Sequence, residues 1–404
     1  MRGNSNPPLR TALQQSRKEA KKGKRLLFCF LHFAPHDEEL KHFTLLPFLC
    51  APTGYGVLRV LAVKIERWCH RHEANTAADL PPSAQVQAVP SIGSPMPSAT
   101  LPYNHSDVRE LIALALREDL RDGGDITCRS LVPQRARLDG IVRAKAAGVL
   151  CGLPLFQLVF DALAEDMPGC EVIVTHHVSD GTVVRPGDEV LRCSGNAVTM
   201  LIGERTALNL CQRLSGTATM ARRYVEAIAG TKAHVFDTRK TTPGMRLLEK
   251  NAVISGGARN HRIGLYDQVL IKDNHIALMP PGPLGSGPAE AVRRTRENIG
   301  DDILIEVEIE RLDDLEPVII AGADIVLLDN MAPELMREAV QRRDRLLANR
   351  SGSRRVALEA SGGITLATIR AVAETGVERI SIGALTHSVH ALDLSMRTAL
   401  VIDE

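Results

Sequence analysis

The chain has 404 residues, 44% of them hydrophobic, enough for two domains or one large domain with appendages. Its formal net charge is only +1 and 3% of its residues are aromatic, so neither a global basic field nor a set of stacking platforms argues for nucleic acid. No apolar run reaches the roughly 20 residues of a membrane-spanning helix. The eight cysteines are scattered without a CxxC pair, which points to reduced thiols in a cytoplasmic protein rather than to a disulfide frame or a zinc site.

Residues 1–98 do not resemble the rest. Eight Lys/Arg against one Glu in the first 25 residues precede a short apolar run, LLFCFLHFA, and then a Pro/Ser/Ala-rich tract from Asp79 to Thr100. The basic-then-apolar order imitates a signal peptide, but the apolar part is short, contains His32 and lacks a small-residue cleavage pattern beyond it. We read this region as a disordered or non-conforming extension, with Met96 as a candidate initiator, in preference to a targeting or partner-binding segment.

Order is expected from Ser106-Asp107, an N-cap for a helix on which Val108, Leu111, Ile112, Ala115 and Leu116 keep helical spacing. From Leu138 short strand-like pieces alternate with one helical stretch, and Asp180-Gly181 and Pro186-Gly187-Asp188 mark turns, giving an α+β module. His176 and His177 are adjacent in a strand and point to opposite faces, which argues against a shared metal site. A long helix follows from about Val198 to Ala229, with Leu201, Leu208, Leu210 and Leu214 expected to pack. Periodicity alone leaves Glu204-Arg205 and Arg213 as solvated or salt-bridged interruptions.

From Ala233 the rhythm is strand, polar residue, helix. Strand candidates are 233–236, 268–271, 303–309, 324–329, 355–360 and 379–383, with a loop over 280–288. Such βα repetition predicts parallel strands covered on both faces. The strands end in chemical groups: Asp237-Thr238-Arg239-Lys240, Lys272 to His275, Glu308, Asp329-Asn330, Glu359 with Ser361-Gly362-Gly363, and Gly383-Ala384. In β/α barrels catalytic residues gather at these ends and phosphate is held by the last loops.

The stretch from Asp237 to His275 holds seven Lys/Arg against four Asp/Glu. Its cations (Arg239, Lys240, Arg246, Lys250, Arg259, His261-Arg262 and Lys272) are expected to converge on one mouth for a substrate with several negative charges. Glu308 and Asp329 suit Mg²⁺ or ribose hydroxyls, and the SGG and IGA segments suit a phosphate. The reaction class suggested is group transfer between a phosphosugar and a second anionic substrate. A barrel lyase using Lys240 or Lys272 as a Schiff base, and a non-catalytic polyanion binder, stay open at this point.

The motifs DTRKTTPGMRLLEK, GGARNHRIGLYDQVLIKDNH, IEVEIERLDDL, ADIVLLDNM, LEASGGITLATI and SIGALTHSV resemble the motif series of the quinolinate phosphoribosyltransferase family, as do REDLRDGGDIT, GVLCG and GERTALNLCQRLSGTAT upstream. The resemblance runs in order from about Asp107 to the C-terminus. It implies an α/β fold, with an N-terminal α/β sandwich (99–215, its last strand or segment able to return from the C-terminus) and an incomplete, seven-stranded β/α barrel (216–404). It implies condensation of quinolinate with 5-phosphoribosyl-1-pyrophosphate in NAD biosynthesis, with Mg²⁺ accompanying the phosphosugar. A paralogous enzyme for another anionic heterocycle is the alternative within the family.

By motif, Arg205 would reach quinolinate from a neighbouring subunit of a homodimer or larger homo-oligomer. Thr238, Arg239, Lys240, His261, Arg262 and Lys272 would form the dicarboxylate and phosphate pocket. Glu308 and Asp329 would face ribose and Mg²⁺-pyrophosphate, and Ser361, Gly362, Gly363, Ile382, Gly383 and Ala384 would hold the 5-phosphate. Lys240, Lys272, Glu308 and Asp329 are the implied catalytic groups. Two positions depart from the family: alanine stands at Ala258 where glycine is usual, and Asn251 where an aromatic is common. If position 258 needs positive φ, alanine would strain the loop.

Overall fold

The computed structural model describes residues 102–165, 169–349 and 355–401, all within one compact unit, Val89–Glu404. The readings made for residues 1–98, including the start site, lie outside the described residues. Among the described residues no helix is long and apolar enough to cross a membrane, and Cys128, Cys151, Cys170, Cys193 and Cys211 are free thiols.

The first module opens with α1 (Ser106–Leu120). Its N-cap is His105, whose Nδ1 accepts from the Asp107 amide at 3.2 Å, so the cap stands just ahead of the Ser106-Asp107 pair expected. The GGDIT turn leads into α2 (Ile126–Leu131), where Asp125 Oδ1 accepts the Thr127 and Cys128 amides. Then come β1 (Arg137–Ala144), β2 (Gly148–Val149), α3 (Pro154–Glu165), β3 (Val172–His176), β4 (Val183–Val184) and β5 (Glu189–Asn196). Along β1 exposed or half-exposed residues alternate with buried ones, the signature of a sheet with one covered face. Val142 and Leu191 join Ile112, Phe156, Phe160, Leu208 and Leu214 in one core.

The 31-residue helix α4 (Ala197–Ala227) is capped by Asn196, whose side chain accepts the Thr199 amide at 3.0 Å. It serves both cores. Residues up to Ala218 belong to the first cluster, and Ala221 and Tyr224 to the second, so the 215/216 boundary falls inside continuous helix. Leu208, Leu210 and Leu214 are buried as expected, but Leu201 is 38% exposed and shares an outward face with Arg205 and Asn209 at i, i+4 and i+8.

The second module adds β6 (His234–Phe236), α5 (Arg246–Ser255), β7 (Val269–Ile271), α6 (Asp273–Leu278), α7 (Pro288–Ile299), β8 (Ile305–Ile309), α8 (Leu315–Ile320), β9 (Ile325–Asp329), α9 (Pro333–Ala348), β10 (Ala357–Ser361), α10 (Ile369–Ala373), β11 (Arg379–Ser381) and α11 (Ala384–His387). Six strands run parallel in the order β6-β11-β10-β9-β8-β7. The seventh position is reduced to a single parallel bridge, Phe236 to Arg259. Among the described residues no ladder joins Arg259 to β7. A side chain spans that seam instead, Arg262 Nη1 donating to Gln268 O at 3.0 Å.

The chain then returns to the first module as β12 (Leu394–Val401), the edge of an antiparallel sheet ordered β12-β1-β5-β3. Gly216 permits this return: a Cβ there would lie 2.1 Å from His390 O.

Candidate active site

The strand ends of the barrel assemble the site, and buried charge pairs support it from below. Asp237, the first residue past β6, is fully buried and accepts from Lys250 Nζ at 2.6 Å and from the His261 amide at 2.7 Å. Lys250 Nζ also donates to His261 O at 3.0 Å, and the Asn260 amide completes the knot by donating to Asp237 Oδ2 at 2.8 Å and to Lys250 O. Lys250 was expected at the mouth. It is buried instead, because Asp237 supplies a counter-ion within a network that satisfies it.

His261 is likewise buried, and both its ring nitrogens are used. Nδ1 accepts the Arg262 amide at 2.8 Å, which places the hydrogen on Nε2, 2.8 Å from Glu306. Glu306 also accepts from Gln268, and Glu359 from Arg379, which stacks 3.7 Å over the Phe236 ring. Burial and then the charge of Glu359 push the Glu306 carboxyl up, whereas at Glu359 burial, the largest influence, is overcome by Arg379, His261 and Ser381 together, which hold that carboxyl down. His261, Glu306 and Glu359 place ligand atoms within 4.8 Å of one another, but Arg379 and Gln268 already serve these carboxylates. The trio therefore forms a polar floor.

Above this floor Arg239 and Lys240 stand without an ion-pair partner among the described residues. Arg239 is half-buried, its Nε is buried with no hydrogen-bond partner, and no ion pair reaches it among the described residues. Arg262 lies close enough that, after burial, the charge of Arg239 is what most lowers its affinity for its proton. Two neighbouring guanidiniums without a bound carboxylate make a site for an external anion. Lys240 is exposed, and its Cδ is 3.0 Å from where a Cβ on Gly383 would sit, so the TRK and IGA segments meet.

Thr238 Oγ1 accepts the Lys240 amide and Thr386 Oγ1 donates to Lys240 O at 2.8 Å, fixing this loop at both ends. Sequence reasoning missed the clamp that holds it. Buried Glu249 on α5 accepts the Thr242 amide and hydroxyl, and Arg213 on α4 donates to Glu249, to Thr242 and, at 2.7 Å, to Thr386 O. The only sequence signal was a charged residue inside an otherwise packing helix, one turn from Leu210 and next to Leu214.

At the following strand ends, Lys272 at the end of β7 pairs with Glu308 on β8 at 2.5 Å. Asp329 ends β9 in register with Ser361 at the end of β10, with Gly362 and Gly363 following at φ +97 and +60. Ile382 is buried, so it offers the site only its backbone, and its amide is bound to Phe236 O. Gly383 and Ala384 lie half-buried at the start of α11. Arg205, exposed on α4, makes no hydrogen bond or ion pair with any of these groups among the described residues.

The departures from the family pattern are accommodated. Ala258 does not have positive φ, since Arg121 and Asn330 are the only non-glycine residues that do among those described, so the feared strain is absent. Asn251 donates to Tyr103 Oη at 3.1 Å, and Tyr103 in turn binds Asp180, tying residues ahead of α1 to α5.

The models for quinolinate phosphoribosyl transferase match over residues 125–215 (N-terminal domain) and 217–397 (C-terminal domain). The nicotinate-nucleotide pyrophosphorylase (carboxylating) of Mycobacterium leprae is 38% identical over 288 residues, covering 71% of this chain and 96% of the relative. The chloroplastic enzyme of the same name from Arabidopsis thaliana is 36% identical over 300 residues, covering 72% and 82%. The solved nicotinate-nucleotide pyrophosphorylase of Francisella tularensis superposes with a TM-score of 0.63 at 36% identity, covering 72% of this chain and 96% of that one. With both domain models matched in order and relatives at 36–38% identity covered over most of their length, the chain belongs to the quinolinate phosphoribosyltransferase family, the decarboxylating pentosyltransferases.

Proposed function

We propose that the chain condenses quinolinate with 5-phosphoribosyl-1-pyrophosphate, yielding nicotinate mononucleotide, pyrophosphate and carbon dioxide as a cytoplasmic enzyme of NAD biosynthesis. The observation that carries the reading is the pair Arg239 and Arg262, neighbouring guanidiniums in no ion pair with a carboxylate among the described residues, one with a buried, unpartnered Nε. A planar dicarboxylate would supply the missing acceptors in bidentate geometry, with Thr238 and Lys240 on the loop after β6 and Lys272 directly after β7. His261 acts from beneath, holding the Arg262 backbone.

The chemistry follows from charge. As the C1–O bond to pyrophosphate breaks, positive charge grows on the ribose ring, and Glu308 and Asp329 at adjacent strand ends stabilise it. The pyridine nitrogen takes C1, and the quaternised ring accepts the electron pair left when the adjacent carboxylate departs as carbon dioxide; a proton then fills that carbon. Lys240, exposed and without a carboxylate partner, is better suited to this step than Lys272, whose Nζ is held by Glu308. Mg²⁺ takes oxygen ligands, and the second oxygen of Asp329 is available for it, while Glu308 is engaged by Lys272. Held mainly by substrate oxygens, the ion would neutralise charge on the leaving pyrophosphate.

Arg205 completes the site from a second copy. It shares its exposed helix face with Leu201 and Asn209, a surface suited to burial in a homodimer. Mixing inactive Arg205→Ala and Lys240→Ala proteins should restore activity, because a hybrid dimer keeps one intact site. The central test is pyrophosphate release that requires both quinolinate and phosphoribosyl pyrophosphate; release with nicotinate and none with quinolinate would overturn the reading.

A further inference from the structure

β9 ends on Asp329, and the chain then passes through Asn330 at φ 51. The one other non-glycine residue of positive φ among those described, Arg121, is the C-cap of α1. Asparagine enters the left-handed region more readily than most side chains, but the conformation persists only where the surroundings impose it. At Asn330 three contacts do so. Its Nδ2 donates to Asp329 Oδ2 at 2.8 Å; the carboxylate only accepts, so the amide nitrogen must face it. Its backbone amide donates to Ser361 O at 2.9 Å, joining the end of β9 to the end of β10. Its Oδ1 fills the space above Gly362, where a Cβ would lie 2.1 Å from that oxygen and 3.0 Å from the Asn330 nitrogen.

We propose that Asn330 is a positioning residue that couples the two parts of the phosphosugar site. Its amide turns Asp329 so that one carboxylate oxygen is occupied and the other is left for ribose or the metal. Its backbone holds the Ser361–Gly363 turn in the shape that receives the phosphate, while Oδ1 packs over position 362, whose φ of +97 favours glycine. This inference rests on the phosphoribosyl-transfer reading above. Asn330 does not touch the reacting atoms in this account; it acts through Asp329 and Gly362.

The substitutions separate its two roles. Asn330→Gly keeps the left-handed backbone and removes the amide, whereas Asn330→Ala also penalises the backbone. Asn330→Gly should keep a thermal midpoint near that of the wild type, lower kcat about 10- to 100-fold, as loss of a partner orienting a ligand does, and leave KM for quinolinate unchanged. Asn330→Ala and Gly362→Ala should in addition weaken binding of inorganic phosphate, measured by calorimetry. Wild-type kcat in Asn330→Gly overturns the proposal, as does a lowered thermal midpoint with unchanged kinetics, the mark of a purely structural role. If the wild-type protein itself fails to turn over quinolinate, the functional reading falls first. The phosphate titration then decides the inference alone, and equal affinities in wild type, Asn330→Ala and Gly362→Ala overturn it.

Discussion

At the floor of the site Asp237 and Lys250 pair at 2.6 Å with both side chains sealed from solvent, and Glu249, Glu306 and Glu359 each have a cationic or imidazole partner. At the rim Arg239 and Lys240 have none among the described residues, although they sit three and four residues past the same strand. One short stretch of chain thus contributes to both regions, and neutralisation separates them. A buried charge is tolerated only with its partner in place, so the paired groups make scaffold. Of the unpaired ones, Lys240 is exposed to solvent, and Arg239 is half-buried with its buried Nε open to an anionic ligand.

The sharpest way to break this division is to remove a floor residue. Asp237→Ala strands Lys250 in the interior and should cost roughly 3–5 kcal/mol of stability, measured by urea unfolding, with activity lost through unfolding. Arg239→Ala strands nothing. Its stability should change by less than about 1 kcal/mol, while kcat/KM for quinolinate falls by about 1.5–3 kcal/mol, roughly 10- to 150-fold. Equal destabilisation by the two substitutions, with turnover retained in Arg239→Ala, would erase the distinction.

Paired charges should also leave a pH signature. Glu290 on α7 is buried and accepts from Arg293, Arg294 and the Leu284 amide, anchoring the 280–288 loop. The Arg293 hydrogen bonds, above all, hold its carboxyl down at about 2, against an ordinary 4.5. A depressed folded-state value means that this contribution is complete above pH 4.5 and is lost as pH falls toward 2. Thermal midpoints should decline over that window in the wild type and less in Glu290→Gln; parallel curves would remove Glu290 from the account. The smallest effect is expected at Ala258. Because its φ is not positive, Ala258→Gly should destabilise by about 0.4–1 kcal/mol through unfolded-state entropy, whereas relief of strain would raise stability.

Much of the fold was legible. The six barrel strands were marked by apolar runs ending in polar residues, and each lies within two residues of its expected limits. Three details were not. His105 rather than Ser106 caps α1, since an imidazole accepting a backbone amide is a rare capping signal. Leu201 carries the same helical spacing as its buried neighbours yet faces outward, because periodicity gives a face and not what covers it. Arg213 reads in sequence as a solvated or salt-bridged interruption; it is salt-bridged, but its partner Glu249 lies 36 residues away, beyond any local pattern.

The amino-acid order by itself determined the alternation of strands and helices and the chemical group at each strand end, because burial periodicity and turn chemistry are local. Only the tertiary structure decided which cations are sealed in pairs and which are left unpaired at the strand ends. Lys250 and Arg239 are equally basic in the sequence. The buried carboxylate of Asp237 takes the first into the interior and leaves the second at the rim, and that choice depends on desolvation and partner geometry that exist only once the chain has folded.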